Sequence, residues 1–402
     1  MWLTDTCIIL PADVIERGAL RIEDGRIVAV IEGDAPPERG VRVIDAHGLT
    51  VLPGLIDIHG DMVEKEIEPR PDTLFPVDVA VHELDKRLAA SGVTTAYAAL
   101  SFYDVDRPAH ARSREKVYET VTALHRLRPE LLVDHAVHAR YEVSTPTSAD
   151  LVHQLLNEGK IQLVSLMDHT PGQGQYRDIE RFIDWVANHR QADRAAVERE
   201  MRERMQRGLA AAARNWEVAR ELAEAASEKG VPLASHDDDT IEKVDLVARL
   251  GATIAEFPVT IEAAGEARQR GMHVVMGAPN VMRGGSHSGN LSAQEAIAAG
   301  LVDTLASDYS PAALIQAVFA LVQRGILDLP AAVRLVTLNP ADALGMPDRG
   351  RIQAGCYADL TLIENGALPR VRGVLRHGAP IYWDRNMAGR GQLQCHCGLQ
   401  MR

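Results

Sequence analysis

The sequence predicts an α/β fold, a (β/α)8 TIM-like barrel with a small β-sandwich domain built from both chain ends. Three observations carry this prediction. Apolar strand-like runs recur through the middle of the chain at Gly54–Gly60, Val93–Ser101, Leu132–Val143, Ile161–His169, Val231–Asp237, Ala252–Pro258, Met272–Pro279 and Asp303–Asp308. Amphipathic stretches such as His82–Ala90, Val117–Arg126 and Ala293–Ala299 separate most of them, and eight alternations are the count of a barrel. Turn-punctuated β-rich segments lie at both ends, and chain termini often meet in space. A doubly wound open sheet more often carries a Gly-rich loop after its first strand, and none is present here.

Taken in order, Met1–Asp34 reads as short strands with turns at Pro11 and Asp24-Gly25. Residues 1–50 and 350–384 are expected to form the small domain, 51–349 the barrel, and 385–402 a flexible tail. The first barrel strand ends in His59-Gly60-Asp61, two good metal ligands spaced to share a face. Lys65 and Arg70 follow it and offer charge-assisted contacts to an anion. The third strand, "VDHAVHARYEVSTP", delivers Glu142, with Arg140 two residues earlier on the same face, and the fourth ends in Asp168 and His169. Residues 192–229 form a charged helical insertion without assigned chemistry. The fifth strand ends in His236 with Asp237, Asp238 and Asp239, and the eighth in Asp308. After the seventh, "MGAPNVMRGGSHSGNLSA" supplies Asn280, Arg283, Ser286 and His287 as donors. Its glycines let backbone amides approach an anion.

Polar residues at the C-terminal ends of the strands are where such a barrel builds its site. Imidazoles mixed with carboxylates suit Zn, Mn or Fe, whereas an all-oxygen shell would suit Mg or Ca. His59, Asp61, Glu142, His169, His236 and Asp308 exceed what one catalytic ion needs. The expectation is therefore one or two divalent ions, with two favoured, Glu142 bridging and a water of lowered pKa between them. Asp308 is then the general base.

Composition bounds the partners. Hydrophobic residues make up 46% and charged residues 25%, enough for a sizeable core. The formal charge of −13 leaves no broad basic field for nucleic acid, although a local cationic pocket can still take an anionic small molecule. Four cysteines without regular spacing make no disulfide framework. With no signal-like segment and no apolar run of membrane-spanning length, a cytoplasmic protein is expected. Cys395-His396-Cys397 lacks a second ligand pair and reads as incidental.

"PGLIDIHGD" and "ASDYSP" resemble the amidohydrolase superfamily. The longer strings "HGDMVEKEIEPRP", "SLMDHTPGQGQY", "ASHDD", "IAEFP" and "MGAPNVMRGGSHSGN" resemble the α-D-ribose 1-methylphosphonate 5-triphosphate diphosphatases of the carbon–phosphorus lyase pathway. The likeness runs from the N-terminal strands to about Trp383. It implies a metal-dependent hydrolase that takes a phosphorylated sugar phosphonate and releases pyrophosphate. It also implies the six ligands that the strand ends offer. Nucleic acid and membrane are not expected as partners, and a homodimer is allowed. Many superfamily members carry His-x-His on the first strand and a carboxylated Lys as bridge; this chain has His59-Gly60-Asp61, and Glu142 in the Lys role. A deacetylase or cyclic-amide hydrolase on the same scaffold is the alternative, since fold and metal site do not fix the substrate.

Overall fold

The computed structural model describes all residues except 37, 39, 104–109, 287–288, 367 and 394–402. His287 and the Cys-His-Cys motif therefore lie outside the described residues. Each of the eight expected runs is a strand: Leu55–Gly60, Val93–Phe102, Asp134–Glu142, Leu163–Met167, Leu233–His236, Ile254–Glu256, His273–Gly277 and Thr304–Ala306. They pair in chain order, every pair parallel. A bridge between Gly60 and Asp308 brings the last strand back to the first, with Asp308 N donating to His59 O and Asp61 N to Asp308 O, both at 2.9 Å. Ser307 reinforces this seam, its backbone N–H donating to buried Asp57 Oδ1 at 3.0 Å.

Helices cover the barrel because their apolar residues recur at helical spacing. Val77–Ala90 buries Val77, Ala80, Val81, Leu84 and Leu88 in that pattern. Side-chain caps define several starts, Thr240 accepting from Lys243 N and Thr260 from Ala263 N. The expected insertion over 192–229 is one long helix, Arg194–Glu228, preceded by a separate helix, Ile179–Arg190.

The barrel interior is layered. One apolar residue from each strand (Ile58, Tyr97, Ala136, Leu163, Ala234, Ile254, Val275, Ala306) makes a single buried cluster. Side chains two positions further along a strand share its face, so the next layer reads His138, Ser165, His236, Glu256, Gly277 and Asp308 on strands three to eight. An apolar plug thus gives way to a polar floor within one residue pair.

The chain ends build a mixed sheet of nine strands. Its main order is Ala379–Trp383, Arg370–Arg376, Leu360–Glu364, Thr50–Pro53, Trp2–Ile9, Val14–Glu23, Arg26–Glu32. Arg42–Asp45 pairs beside Trp2–Thr4, and Gly391–Leu393 pairs with it in turn. The sheet thus takes in residues 51–53, the rest of the strand that starts at Thr50, and Gly391–Leu393, beyond the ranges 1–50 and 350–384. Residues expected in a flexible tail carry ladder hydrogen bonds, and Met387 is buried in the sheet's core with Leu3, Ile8, Leu360 and Leu375. Arg349, ahead of the sheet strand Leu360–Glu364, is tied to the barrel strands, donating to Thr95 Oγ1 and Asp134 Oδ2 at 2.9 Å each.

Candidate metal and anion site

At the C-terminal ends of the strands lies a cavity of about 560 Å³, lined among others by His59, Asp61, Lys65, Arg140, His236, Asp237, Asn280, Arg283, Ser286 and Asp308. Two backbone devices aim the first of these. The pairing of the first strand shifts register between Asp57 and Gly60, the mark of a bulge, and a bulge re-aims side chains at a strand end. Gly60 is required there, because a Cβ would stand 2.9 Å from Asp57 Oδ2 and 3.2 Å from Ser307 Oγ. Three lining residues, Asp237, Phe257 and Asp308, adopt positive φ of 58°, 53° and 55°. Such conformations cost free energy and gather at functional sites.

The imidazoles divide into two kinds. His59 and His236 are held well below the ordinary histidine pKa, first by burial and then by the Arg140 guanidinium. They are neutral near pH 7, the state in which a ring nitrogen can hold a cation. His169 is the opposite. Burial works against its charge, but the Glu142 carboxylate and then Asp237 hold its pKa up at about 9. Its Nδ1 is 2.7 Å from Glu142 Oε2, and its Nε2 3.4 Å from Asp237 Oδ2. A proton shared by an imidazole and a carboxylate marks a place where a cation can substitute for it.

Asp308 is pushed up to about 7, mainly by burial and then by the Asp61 charge. Asp61 Oδ1 and His236 Nδ1 are buried without a hydrogen bond among the described residues. Buried polar atoms left unpaired cost free energy. This donor set therefore fits a divalent cation: neutral imidazoles, orphaned ligand atoms, and carboxylates crowded enough to resist ionising together. His59, His138 and Glu256 also place one ligand atom each within 4.8 Å of one another, all three residues being buried.

Asp308 and His169 carry protons in the metal-free protein below about pH 7 and about pH 9, and an ion must displace them. The rise in Tm on adding zinc is expected to grow between about pH 6 and about pH 8. Thermal denaturation with and without metal checks this, and a pH-independent rise would contradict it.

The remaining expected residues are placed unevenly. Lys65 lies 3.7 Å from Asp61 Oδ1 and 5.1 Å above the Tyr309 ring, and Arg140 NH2 lies 3.3 Å from His236 Nε2. Arg283 is exposed on the rim, at the end of the helix Ala278–Arg283. Asn280 lines the cavity, yet its amide is engaged elsewhere, donating to Leu291 O and accepting from Ala293 N at 3.0 Å each. Arg70 does not line the cavity; it is exposed beside a separate recess with Glu68 and Arg112. Neither Glu142 nor His169 lines it; the two Glu142 oxygens engage His169 and Ser144. Sequence reasoning passed over His138, Glu256, Tyr309 and Gln175, and named Asp237 at its strand end without giving it a role. Glu256 ends the sixth strand and could have been found by the rule that found Asp308. His138 shares a strand face with Arg140 and Glu142.

Comparison with known proteins completes the description. Residues 50–382 match the family model described as the amidohydrolase family. The α-D-ribose 1-methylphosphonate 5-triphosphate diphosphatase of Escherichia coli (strain K12) is 38% identical over 366 residues, covering 90% of this chain and 94% of that protein. Among solved structures, N-acetyl-D-glucosamine-6-phosphate deacetylase from Mycobacterium smegmatis superposes with a TM-score of 0.62 at 20% identity, over 95% of this chain and 100% of that one. Dihydropyrimidinase from Brevibacillus agri NCHU1002 gives 0.60 at 14% identity, over 95% of both chains. No helix among the described residues is long and apolar enough to cross a membrane. By its sequence match, the chain belongs to the amidohydrolase family.

Proposed function

We propose that this hydrolase converts α-D-ribose 1-methylphosphonate 5-triphosphate and water to the 5-phosphate and pyrophosphate, in phosphonate catabolism. The observation that carries this is the shared wall of one cavity, where Lys65, Arg140 and Arg283 stand with His59, Asp61, His236 and Asp308. The relative's activity supports the same substrate. Charge balance supports a metal. The cavity wall holds three acidic side chains, Asp61, Asp237 and Asp308, against the three basic ones. It therefore offers a triphosphate no net positive field from its charged side chains, and bound cations supply what is missing.

In this reading one or two divalent ions (Zn, Mn or Fe) are held by His59, Asp61, Glu142, His169, His236 and Asp308. When bound, such an ion supplies Lewis acidity and lowers the pKa of water beside it. Asp308 takes the proton from the attacking water, and the bond broken is the anhydride between the α and β phosphorus atoms. Asp308 then passes the proton toward the departing pyrophosphate. Lys65, Arg140 and Arg283 bind phosphate oxygens, Arg283 from the rim with Ser286 and the neighbouring backbone. Asn280 shapes that loop through its bonds to Leu291 and Ala293. His287 belongs to the same proposed loop by sequence, and Arg70 is left as an outer contact.

Arg283→Ala is expected to raise KM about tenfold or more with little change in kcat, because the rim contact is made equally in ground and transition states. Unchanged kinetics would take the loop out of the site. The same metal apparatus would serve C–N hydrolysis, which needs no such set of three basic side chains. A panel of the triphosphate, a hydantoin and an N-acetyl amino sugar 6-phosphate separates the two, turnover of the triphosphate alone being the expected result.

A further inference from the structure

We propose that Glu256, beneath the cavity rather than in its wall, is a positioning residue that fixes His59 in the tautomer able to hold a metal ion. The inference rests on the reading of His59 as a metal-holding residue. Glu256 ends the sixth strand and is completely buried, as is His138, while His59 is 1% exposed. Its Oε1 lies 3.0 Å from His59 Nδ1, and its Oε2 3.6 Å from His138 Nε2. A carboxyl group does not persist in such a place without partners, and these two rings are its neighbours.

As an ionised carboxylate Glu256 accepts at Oε1 from Nδ1–H of His59, and in that pairing Nε2, the ring's other nitrogen, is left bare of a proton on a residue that lines the cavity. The imidazole is also wedged edge-on among His138, His236 and Phe257, with ring centroids 5.1, 5.3 and 4.9 Å away. Packing therefore restrains the ring plane and Glu256 chooses the nitrogen. His138 is itself tied down, its Nε2 lying 2.9 Å from Ser165 Oγ.

The three residues could instead be ligands of an ion between them, but the geometry favours orientation. The 3.0 Å between His59 Nδ1 and Glu256 Oε1 is a hydrogen-bond length. Two ligands at ~2.05 Å on a tetrahedral ion stand ~3.3 Å apart. Neither Glu256 nor His138 lines the cavity through which substrate must reach an ion. A carboxylate behind a metal-holding histidine fixes its tautomer and raises its basicity, and removing it typically costs about 10–100-fold in metal affinity.

The test uses the full-length protein with ¹⁵N-labelled histidine, together with Glu256→Leu and Glu256→Gln. In the metal-free wild type, the His59 ring is expected as the Nδ1–H tautomer by ¹⁵N NMR. Gln keeps an acceptor oxygen and should keep that tautomer, whereas Leu should lose it. Zinc affinity, read by competition with a chromophoric chelator, should fall about 10–100-fold in the Leu variant and less in the Gln variant. Zinc stoichiometry at saturation should be unchanged in both. An Nε2–H tautomer in the wild type would overturn the inference without any variant. So would wild-type affinity in a folded Leu variant, and the loss of a whole equivalent of zinc in both variants would make Glu256 a ligand instead. A wild type that binds no zinc would remove the metal reading of His59 and this inference with it, an outcome distinct from the others.

Discussion

Asp308→Asn is expected to lower kcat about 10²- to 10⁴-fold, the usual contribution of a positioned general base, while the fold and most of the bound metal remain. The backbone at this position tolerates the change. Asp308 sits at φ 55°, and Asn is one of the few residues that adopt this region readily. The bridge to Gly60 is made by backbone atoms, so it survives the change. What disappears is the proton acceptor. Burial and the Asp61 charge hold that acceptor up at about 7, close to the pH at which it must both take and give a proton. The measurement is steady-state kinetics beside metal content: near-normal kcat in a metal-loaded variant would remove Asp308 from the role of base.

Stripping the divalent ion with a chelator is expected to abolish turnover, and adding Zn, Mn or Fe to restore it. The same treatment should lower stability, because the ion binds only the folded chain. At a free concentration about 100-fold above its Kd, an ion stabilises by about 2.7 kcal/mol. The Asp61 charge is one of the causes that raise Asp308, a repulsion that a bound cation would relieve. Chelation that leaves both Tm and activity untouched would contradict the proposal.

How much of this was legible in the sequence depended on the residue. The eight strands were legible because a buried parallel strand is a short apolar run bounded by turns. His59, Asp61, His236 and Asp308 were legible because each stands where such a run stops. His138 was harder. It lies within a strand that is buried on both faces, so composition does not show which residues turn inward; that needs the barrel's registration, which puts it one layer above Ala136. Side-chain destinations were also hidden. Asn280 is a polar residue in a donor-rich loop, yet its amide is spent on Leu291 and Ala293. Arg70 follows the first strand closely, yet the chain turns through Arg70–Thr73 and carries it away from the cavity. The C-terminal strand Gly391–Leu393 was missed because its partner, Arg42–Asp45, is more than three hundred residues earlier and three residues give little periodic signal.

The central claim is that this cavity hydrolyses a sugar 5-triphosphate with the help of a bound cation. The most direct measurement is phosphorus NMR of the protein with ribose 1-methylphosphonate 5-triphosphate, with and without Zn or Mn. The account predicts pyrophosphate and a 5-monophosphate, only when metal is present and with the phosphonate resonance intact. An unchanged spectrum from protein with metal confirmed bound would contradict it.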